Sequence, residues 1–279
     1  MTIPTRTPPP AADRQPVLNM APRQAPTAPV AWSKPHEIGK RVLLYGVGGM
    51  GKTTFASRLP GARFIDLDKS LASIGAEIPC VTPADWSDFR SVIKSCSSMK
   101  SGEWLVIDSC TPLQNYCEHW VLANVRTDKG AAVRNIEGYG YGKGFRHVYD
   151  EWGQMLIDID AVVEQKINVC FIAHSSNYNV ANVEGDDYKR IEPRLQDAGD
   201  GGKSSIKEKM RDWADFVLCV REEVVIDESG KAQGCGTRAL YSSVNPHCMA
   251  KSRRADGSQL PPLQITADNG AEVWQQILN

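Results

Sequence analysis

The sequence lacks long apolar runs, an excess of charge of one sign, and cysteines in metal-binding spacing. No run approaches the roughly 18 apolar residues of a membrane span, and no secretory signal pattern opens the chain. A net charge of −1 gives no global sign of nucleic-acid binding, so any such surface is local. The eight cysteines form no C-x-x-C pair, which disfavours zinc and thioredoxin-like sites. These absences predict a globular protein of a reducing, cytoplasmic compartment with no membrane contact.

Proline is concentrated at the start of the chain, where clustered apolar residues are scarce. Residues 1–35 hold nine of the 17 prolines. Such a segment buries too little apolar surface to offset the entropy of ordering it. We therefore predict a disordered, Pro-rich tail over residues 1–37, which is either a plain flexible segment or a docking site for a partner. The ordered domain is predicted over residues 38–279.

Glycine is clustered in one stretch, G-V-G-G-M-G-K-T at residues 46–53, which matches the phosphate-binding P-loop pattern G-x-x-x-x-G-K-[ST]. A short apolar, β-prone run precedes it, and a helix-compatible run stopped by Pro60 and Gly61 follows. The glycines allow backbone N–H groups to turn towards phosphate oxygens. The predicted nucleotide contacts are Gly46, Val47, Gly48, Gly49, Met50, Gly51, Lys52, Thr53 and Thr54.

The P-loop predicts binding of ATP with Mg²⁺. Lys52 is expected to reach the β- and γ-phosphates, and the Thr53 hydroxyl to ligate Mg²⁺. Asp108 ends the apolar run Trp104–Ser109, as expected for a second magnesium ligand at the carboxyl end of a buried strand. The alternative for Asp108 is a helix cap, since Pro112 follows.

Two further strand ends carry polar side chains. Asp66 and Asp68 are two residues apart, so both side chains lie on the same side of a predicted strand. One of them would polarise the attacking water. His174 ends the apolar run 167–174, where it would sense the γ-phosphate. The alternatives are solvated strand-end carboxylates and a structural histidine. The predicted catalytic residues are Lys52, Asp68, Asp108 and His174.

Strand and helix patterns alternate from residue 41 onward, which predicts one three-layer α/β domain with a mainly parallel central sheet. Thr82 before Pro83 is expected to cap the helix that carries Trp86 and Phe89. Residues 177–202 are polar and contain glycine, and we predict a long functional loop there. Segments 216–226 and 238–244 are predicted strands joined across residues 227–230.

Set in order, these pieces resemble the RecA-like ATPases, in particular the phage-encoded single-strand annealing ATPases with a reduced RecA/RadA-type core. The resemblance covers residues 38–265; GKT and VIDS are shared by many P-loop proteins, whereas the GYGKG loop, the strand ending in IAH and the R-x-W-A-D segment are more particular. The matching segments are GVGGMGKTT (46–54), FIDLD (64–68), WLVIDS (104–109), GYGYGKGF (138–145), INVCFIAH (167–174), IKEKMRDWADFVL (206–218) and AKSR (250–253).

The resemblance implies a RecA-like fold that binds ATP, Mg²⁺ and single-stranded DNA, acts in recombination by annealing, and assembles as a ring or filament. Asp108 would be the Walker B carboxylate. Asp68 would stand where a longer glutamate usually activates water, so hydrolysis would be slow, and His174 would read the γ-phosphate. Residues 136–145 and 175–202 would be the DNA-binding loops, and Lys251 and Arg253 would reach a neighbouring subunit's ATP.

The Gly/Tyr segment 136–145 places aromatic rings beside positive charge, which suits unstacked bases. The alternative is a glycine hinge with packed tyrosines. The second loop mixes eight acidic with seven basic residues over 182–214, so its fold would have to sort the charges. The predicted DNA contacts are Tyr139, Tyr141, Lys143, Arg146, Lys189, Arg190, Arg194 and Lys203.

Other functions share a P-loop. A small-molecule or nucleoside kinase is one alternative, but no Arg-rich lid segment is evident. An ATP-binding scaffold with little hydrolysis is another, because Asp68 is short for water activation. A hexameric helicase motor shares the fold, but no separate primase-binding or helical domain is evident. For a recombination protein the expected partners are single-stranded DNA, further copies of the chain, and a single-strand-binding protein or other recombination factor.

Overall fold

The computed structural model describes residues 33–75, 77–182, 184–197 and 203–279. The chain divides into two units, residues 1–36 and residues 37–279. The sheet with its helices belongs to the second unit. Most of the predicted Pro-rich tail lies outside the described residues, so both domain boundaries stay predictions.

The described residues alternate between strands and helices along the chain. The strands are β1 (Arg41–Gly46), β2 (Arg63–Asp66), β3 (Cys80–Val81), β4 (Trp104–Asp108), β5 (Asn168–Val180), β6 (Tyr188–Pro193), β7 (Phe216–Ile226), β8 (Ala232–Tyr241), β9 (Lys251–Ser252) and β10 (Leu263–Ile265). The helices are α1 (Lys52–Ala56), α2 (Leu71–Ile74), α3 (Trp86–Ser95), α4 (Cys110–Asn124), α5 (Lys143–Val163), α6 (Ile206–Trp213) and α7 (Gly270–Leu278), with short 3₁₀ turns at Cys96–Ser98 and Ile136–Tyr139.

The central sheet has the strand order β10-β8-β7-β1-β5-β4-β2-β3. The six strands from β7 to β3 along this order run parallel to their neighbours, whereas β8 and β10 join the sheet antiparallel. Because β1 lies between β5 and β7, every residue from Val42 to Gly46 is buried. Continuous apolar runs are typical of such doubly covered parallel strands.

Alternate residues of the sheet feed two hydrophobic cores. On one face, side chains such as Leu43 and Ile65 pack with α3, α4, α5 and α6. On the other face, Leu44 and Phe64 pack with α1 and α7, and the Trp274 ring stacks on Phe55 with ring centroids 4.4 Å apart. Helices therefore cover both faces of the sheet, and the predicted three-layer α/β class with a mainly parallel sheet is confirmed.

The register of the parallel strands places the polar strand ends side by side. Gly46 on β1 lies opposite His174 on β5, and Asp66 on β2 lies opposite Asp108 on β4. Ligands of open α/β sheets bind at this carboxyl edge. The P-loop and the predicted carboxylates thus meet by topology, although they are far apart in sequence.

The prediction of a long loop over residues 177–202 is wrong for about the first two thirds of that range. β5 continues to Val180 and pairs antiparallel with β6, so a β-hairpin projects beyond the sheet edge. The outer half of β5 alternates between half-buried and exposed polar residues, so no apolar run reveals it in the sequence. Residues 198–202 lie outside the described part of the chain.

Two smaller expectations also change. α3 begins at Trp86 and is capped by Asp85, whose carboxylate accepts from the Asp88 N–H at 2.9 Å. Thr82 instead donates its hydroxyl to the Asp66 carbonyl at 3.0 Å, so it fastens a loop to β2.

In the described ranges, no helix combines the length and apolarity needed to cross a bilayer. All eight cysteines are free thiols.

Candidate nucleotide-binding site

The P-loop connects β1 to α1 and carries a buried lysine. Gly51 has φ of +77°, a left-handed conformation that suits glycine, and it turns the chain into α1. Lys52 is only 6% exposed, and its ammonium donates to the carbonyls of Gly46 and Val47 at 2.9 Å each. Burial lowers the pKa of Lys52, while the nearby carboxylates of Asp108 and Asp68 oppose that effect. The lysine is therefore held inside the loop that it is predicted to serve.

Asp108 lies against the P-loop, at the end of β4. Its Oδ2 accepts hydrogen bonds from the hydroxyls of Thr53 at 2.6 Å and Ser70 at 2.9 Å. Burial is the main cause that raises the pKa of Asp108, which is 2% exposed. Ser109, not Asp108, occupies the cap position of α4, so the helix-cap alternative is wrong. A hydroxyl and a carboxylate held this close form the oxygen donor set that Mg²⁺ takes beside nucleotide phosphates.

Asp66 and Asp68 have different environments. The Asp66 carboxylate is buried and accepts the backbone N–H groups of Ser70 at 3.0 Å and Leu71 at 3.2 Å, which fastens the start of α2. Asp66 is therefore engaged structurally and does not face an attacking water. Asp68 Oδ2 accepts the Ser109 hydroxyl at 2.7 Å and lies 3.6 Å from His174 Nε2.

His174 lies at the point where the buried half of β5 gives way to the hairpin. Burial and the positive charge of Lys52 lower the pKa of its imidazole, although Asp68 acts in the opposite direction. Its backbone carbonyl accepts the Arg194 N–H at 2.8 Å. The ring therefore faces the P-loop while the backbone is bonded to the residue that follows β6.

One open cleft of about 560 Å³ brings these groups together. The cleft contains the P-loop cation, the paired hydroxyl and carboxylate, and the Asp68–His174 pair, so the four predicted catalytic residues share one site. Ser70 and Ser109 are polar groups of this site to which the sequence analysis gave no role; no motif marks Ser70, and Ser109 only ends the VIDS segment. The lining residues are Gly48, Gly49, Gly51, Lys52, Thr53, Thr54, Asp68, Ser70, Ser73, Ile74, Asp108, Ile172 and His174.

The two tyrosines of the Gly/Tyr segment have opposite environments. Tyr139 is 8% exposed, its hydroxyl donates towards the carbonyls of Val121 and Val125, and its ring packs edge-on against His147. Tyr139 is therefore a packing residue, which corrects its predicted contact with DNA bases. Tyr141 is fully exposed, with φ of +49°, between two glycines that also have positive φ.

The predicted basic DNA contacts divide into exposed and paired side chains. Arg146 pairs with Asp150 at 3.0 Å, and Lys143 is exposed but pairs with Asp128. Arg190 is half-buried and binds the buried Glu192 at 2.5 Å, so it is less accessible than the other basic residues, and its assignment as a DNA contact stays a prediction. The exposed members of the set are Lys143, Arg146, Lys189, Arg194 and Lys203.

Lys251 and Arg253, expected at a neighbouring subunit's ATP, have partners in their own chain. The Lys251 ammonium donates to the carbonyls of Arg211 at 2.8 Å and Ala214 at 2.7 Å, where it holds the C-terminal end of α6. Arg253 lies 3.2 Å from the Asp215 carboxylate. These contacts give Lys251 a structural role in the folded chain, and its expected role between subunits stays a prediction.

Comparison with known proteins assigns the chain to a family. The sequence matches the family described as AAA domain over residues 38–254, most of the chain. None of the curated proteins matches. Among solved structures, the chain is similar to the KaiC-like protein PH0186 from the hyperthermophilic archaeon Pyrococcus horikoshii OT3, with 15% identity and a TM-score of 0.39, covering 73% of this chain and 79% of that chain. The chain belongs to the AAA domain family of P-loop NTPases.

Proposed function

We propose that the protein binds and hydrolyses ATP and couples this reaction to the binding of single-stranded DNA, as a recombination or annealing protein of the phage-encoded type. The observation that carries the ATPase part is the single cleft that holds Lys52, Thr53, Asp68, Asp108 and His174. Phosphoryl transfer depends on positioning and on electrostatic stabilisation, and this cleft offers groups for both.

Each group has a definable task in that reaction. The P-loop N–H groups and the Lys52 ammonium bind the phosphate chain, and Thr53 with Asp108 would hold Mg²⁺. Bound Mg²⁺ neutralises charge on the phosphate oxygens. Asp68, oriented by the Ser109 hydroxyl, positions the attacking water, and His174 lies close enough to Asp68 to orient it from the other side. The neutral form of His174 is favoured by its lowered pKa and can accept a hydrogen bond.

Support for the DNA part comes from exposed side chains of the Gly/Tyr segment, of β6 and of the residues that follow β6. Tyr141 presents a free aromatic face, and Lys189, Arg194 and Lys203 present unburied positive charge. Aromatic faces beside cations suit unstacked bases. The Arg194 N–H binds the carbonyl of His174, so the hairpin and the ATP cleft share one backbone connection.

The small size of one domain supports an assembly of several copies. One small domain contacts few nucleotides, so cooperative arrays along a strand are required to hold it. We therefore propose a ring or filament of this chain on single-stranded DNA, with a single-strand-binding protein or other recombination factor as a further partner. Sedimentation with ATP and an oligonucleotide tests this step, and a species that stays monomeric in both would contradict it.

A second candidate is an ATP-binding scaffold with little turnover. The Asp68 carboxylate is one methylene shorter than glutamate and is already hydrogen-bonded to Ser109 at 2.7 Å, both of which limit its reach towards water. Such a protein would use ATP binding alone to order the DNA-binding surface.

The deciding experiment measures ATP turnover alone, with single-stranded DNA and with double-stranded DNA, in the wild type and in Asp108→Asn. Stimulation by single strands that disappears in Asp108→Asn supports the coupled ATPase. Tight binding of ATP and of an oligonucleotide without turnover favours the scaffold. Turnover that is indifferent to DNA, together with phosphate transfer to a nucleoside, would overturn the proposal in favour of a kinase.

A further inference from the structure

A second cation from the same chain lies on the P-loop. Arg238 is on β8, two strands away from β1, yet its guanidinium reaches across to the loop. Its Nη1 is 3.4 Å from the Met50 carbonyl, and a Cβ added at Gly51 would come within 2.4 Å of the same nitrogen. The guanidinium therefore packs directly on the loop residue that precedes Lys52.

Arg238 reaches the loop without a carboxylate partner. Within the described ranges, no acidic side chain lies at salt-bridge distance from it. Glu222 is its cross-strand neighbour on β7, but the Glu222 carboxylate accepts the Gly236 N–H at 3.1 Å instead. A half-buried guanidinium whose hydrogen bond to a carbonyl is this long retains most of its capacity to bind an anion.

The strand order indicates which part of the nucleotide would lie near Arg238. Asp108 and His174 belong to β4 and β5, on one side of β1, and both line the cleft in which the terminal phosphate would react. β7 and β8 lie on the other side of β1. A nucleotide that crosses the P-loop therefore extends its sugar end towards Arg238.

We propose that Arg238 is a nucleotide-binding residue that contacts the α-phosphate, the phosphate next to the sugar. This inference rests on the proposed binding of ATP and adds a cation from β8 to it. Lys52 serves the reacting end of the phosphate chain, and Arg238 serves the end that ATP and ADP have in common. Arg238 consequently sets the affinity for both nucleotides alike.

The test measures the affinities of ATP and ADP, with Mg²⁺ present, by calorimetric titration of the full chain. The variants are Arg238→Gln and Arg238→Lys, with Arg221→Ala as the matched control. Arg221 lies on the neighbouring strand β7, and its guanidinium is 5.4 Å from the centroid of the Tyr241 ring. It is therefore an arginine of the same sheet region that packs on an aromatic ring and not on the P-loop. Unfolding midpoints without nucleotide show whether each variant is folded.

We expect Arg238→Gln to weaken the binding of ATP and of ADP by the same factor, about tenfold or more, because one charged hydrogen bond is lost from each complex. Arg238→Lys should retain more affinity than Arg238→Gln, since it keeps the charge, and Arg221→Ala should bind as the wild type does. Equal affinity in Arg238→Gln and wild type, or a loss confined to ATP, would overturn the proposal. Equal losses in the Gln and Lys variants would also overturn it, since a planar group stacked on the base would then be responsible.

These results separate the two proposals. If the wild type binds neither ATP nor ADP, the proposed function fails. If the wild type binds both, Lys52→Ala binds weakly and both Arg238 variants bind normally, then only the inference about Arg238 fails.

Discussion

The ATP cleft and the hairpin of β5 and β6 share one strand but are built in opposite ways. In the cleft, side chains from four parallel strand ends converge on a buried lysine and a buried carboxylate. On the hairpin, polar residues are exposed or paired with one another over the length of β6. Chemistry at a phosphate needs fixed geometry, which the buried half of β5 offers. The contact with a flexible strand of DNA that we propose needs accessible surface, which the outer half offers.

The hairpin is nevertheless attached firmly at its base. Lys207 on α6 is buried, and its ammonium binds Glu192 at 2.5 Å and Asp197 at 2.6 Å. Arg190 binds the same Glu192, and the Tyr178 ring lies 3.8 Å from the Lys207 ammonium. A buried charge cluster therefore fixes the hairpin to α6 while its surface stays accessible.

From this comparison of the cleft with the hairpin, we expect the largest effect of a substitution at the P-loop. Lys52→Ala should weaken ATP binding about a thousandfold, because removal of a buried cation leaves the phosphate charge without its partner. Lys143→Ala, which removes an exposed lysine of the Gly/Tyr segment, is the matched control and should leave ATP affinity unchanged. Titration with a fluorescent ATP analogue measures both, and normal affinity in Lys52→Ala would remove the P-loop assignment.

The next largest effect concerns the base of the hairpin. Glu192→Gln should lower the free energy of unfolding by about 3 kcal/mol, since it leaves Lys207 and Arg190 facing each other without the buried carboxylate between them. Asp150→Asn removes an exposed partner of Arg146 and should cost less than about 1 kcal/mol. Urea denaturation compares the two variants, and equal midpoints would mean that the charge cluster does not stabilise the hairpin.

The same contrast explains which parts of the site can be predicted from the sequence. The P-loop, Asp108 and His174 are recognisable because each follows a continuous apolar run, and buried parallel strands require such runs. Their convergence then follows from strand order, which the alternation of strands and helices indicates. Ser70 is different, because its bond to Asp108 depends on how the turn after β2 packs against β4, and no local pattern encodes that packing.

The Gly/Tyr segment escapes prediction for a related reason. Tyr139 and Tyr141 are two residues apart in this segment, so local sequence gives them the same role. The end of α4 offers the carbonyls of Val121 and Val125 to Tyr139, and nothing comparable reaches Tyr141 among the described residues. Tertiary contacts therefore decide which tyrosine is buried, and the same holds for Arg190 and Lys251, whose partners are set by the fold.

A third prediction sharpens the comparison at these tyrosines. Tyr141→Ala should weaken binding of a single-stranded oligonucleotide about tenfold, the loss expected for one stacked base, without altering ATP affinity or stability. Tyr139→Phe should instead lower stability by about 1 kcal/mol, because the hydroxyl loses its buried carbonyl partners, and should leave DNA affinity unchanged. Fluorescence anisotropy and urea denaturation separate the two effects, and unaltered DNA binding in Tyr141→Ala would remove the stacking role.

The smallest expected effect lies at His174, where the two regions meet. Burial and Lys52 hold its pKa below the ordinary value of 6.5, whereas Asp68 acts in the opposite direction. The folded chain therefore binds fewer protons at this site than the unfolded chain does. The contribution of His174 to the free energy of unfolding is complete above pH 6.5 and is lost as the pH falls through that value towards the lowered pKa.

His174→Asn should consequently show a shallower decline of stability on acidification than the wild type does over this interval. Urea denaturation at a series of pH values measures the difference between the two proteins, in which the titration of other groups largely cancels. A parallel decline in both proteins would show that the imidazole is not held neutral by the cleft. A steeper decline in the wild type would show that His174 titrates at the point where β5 passes from the buried cleft to the exposed hairpin.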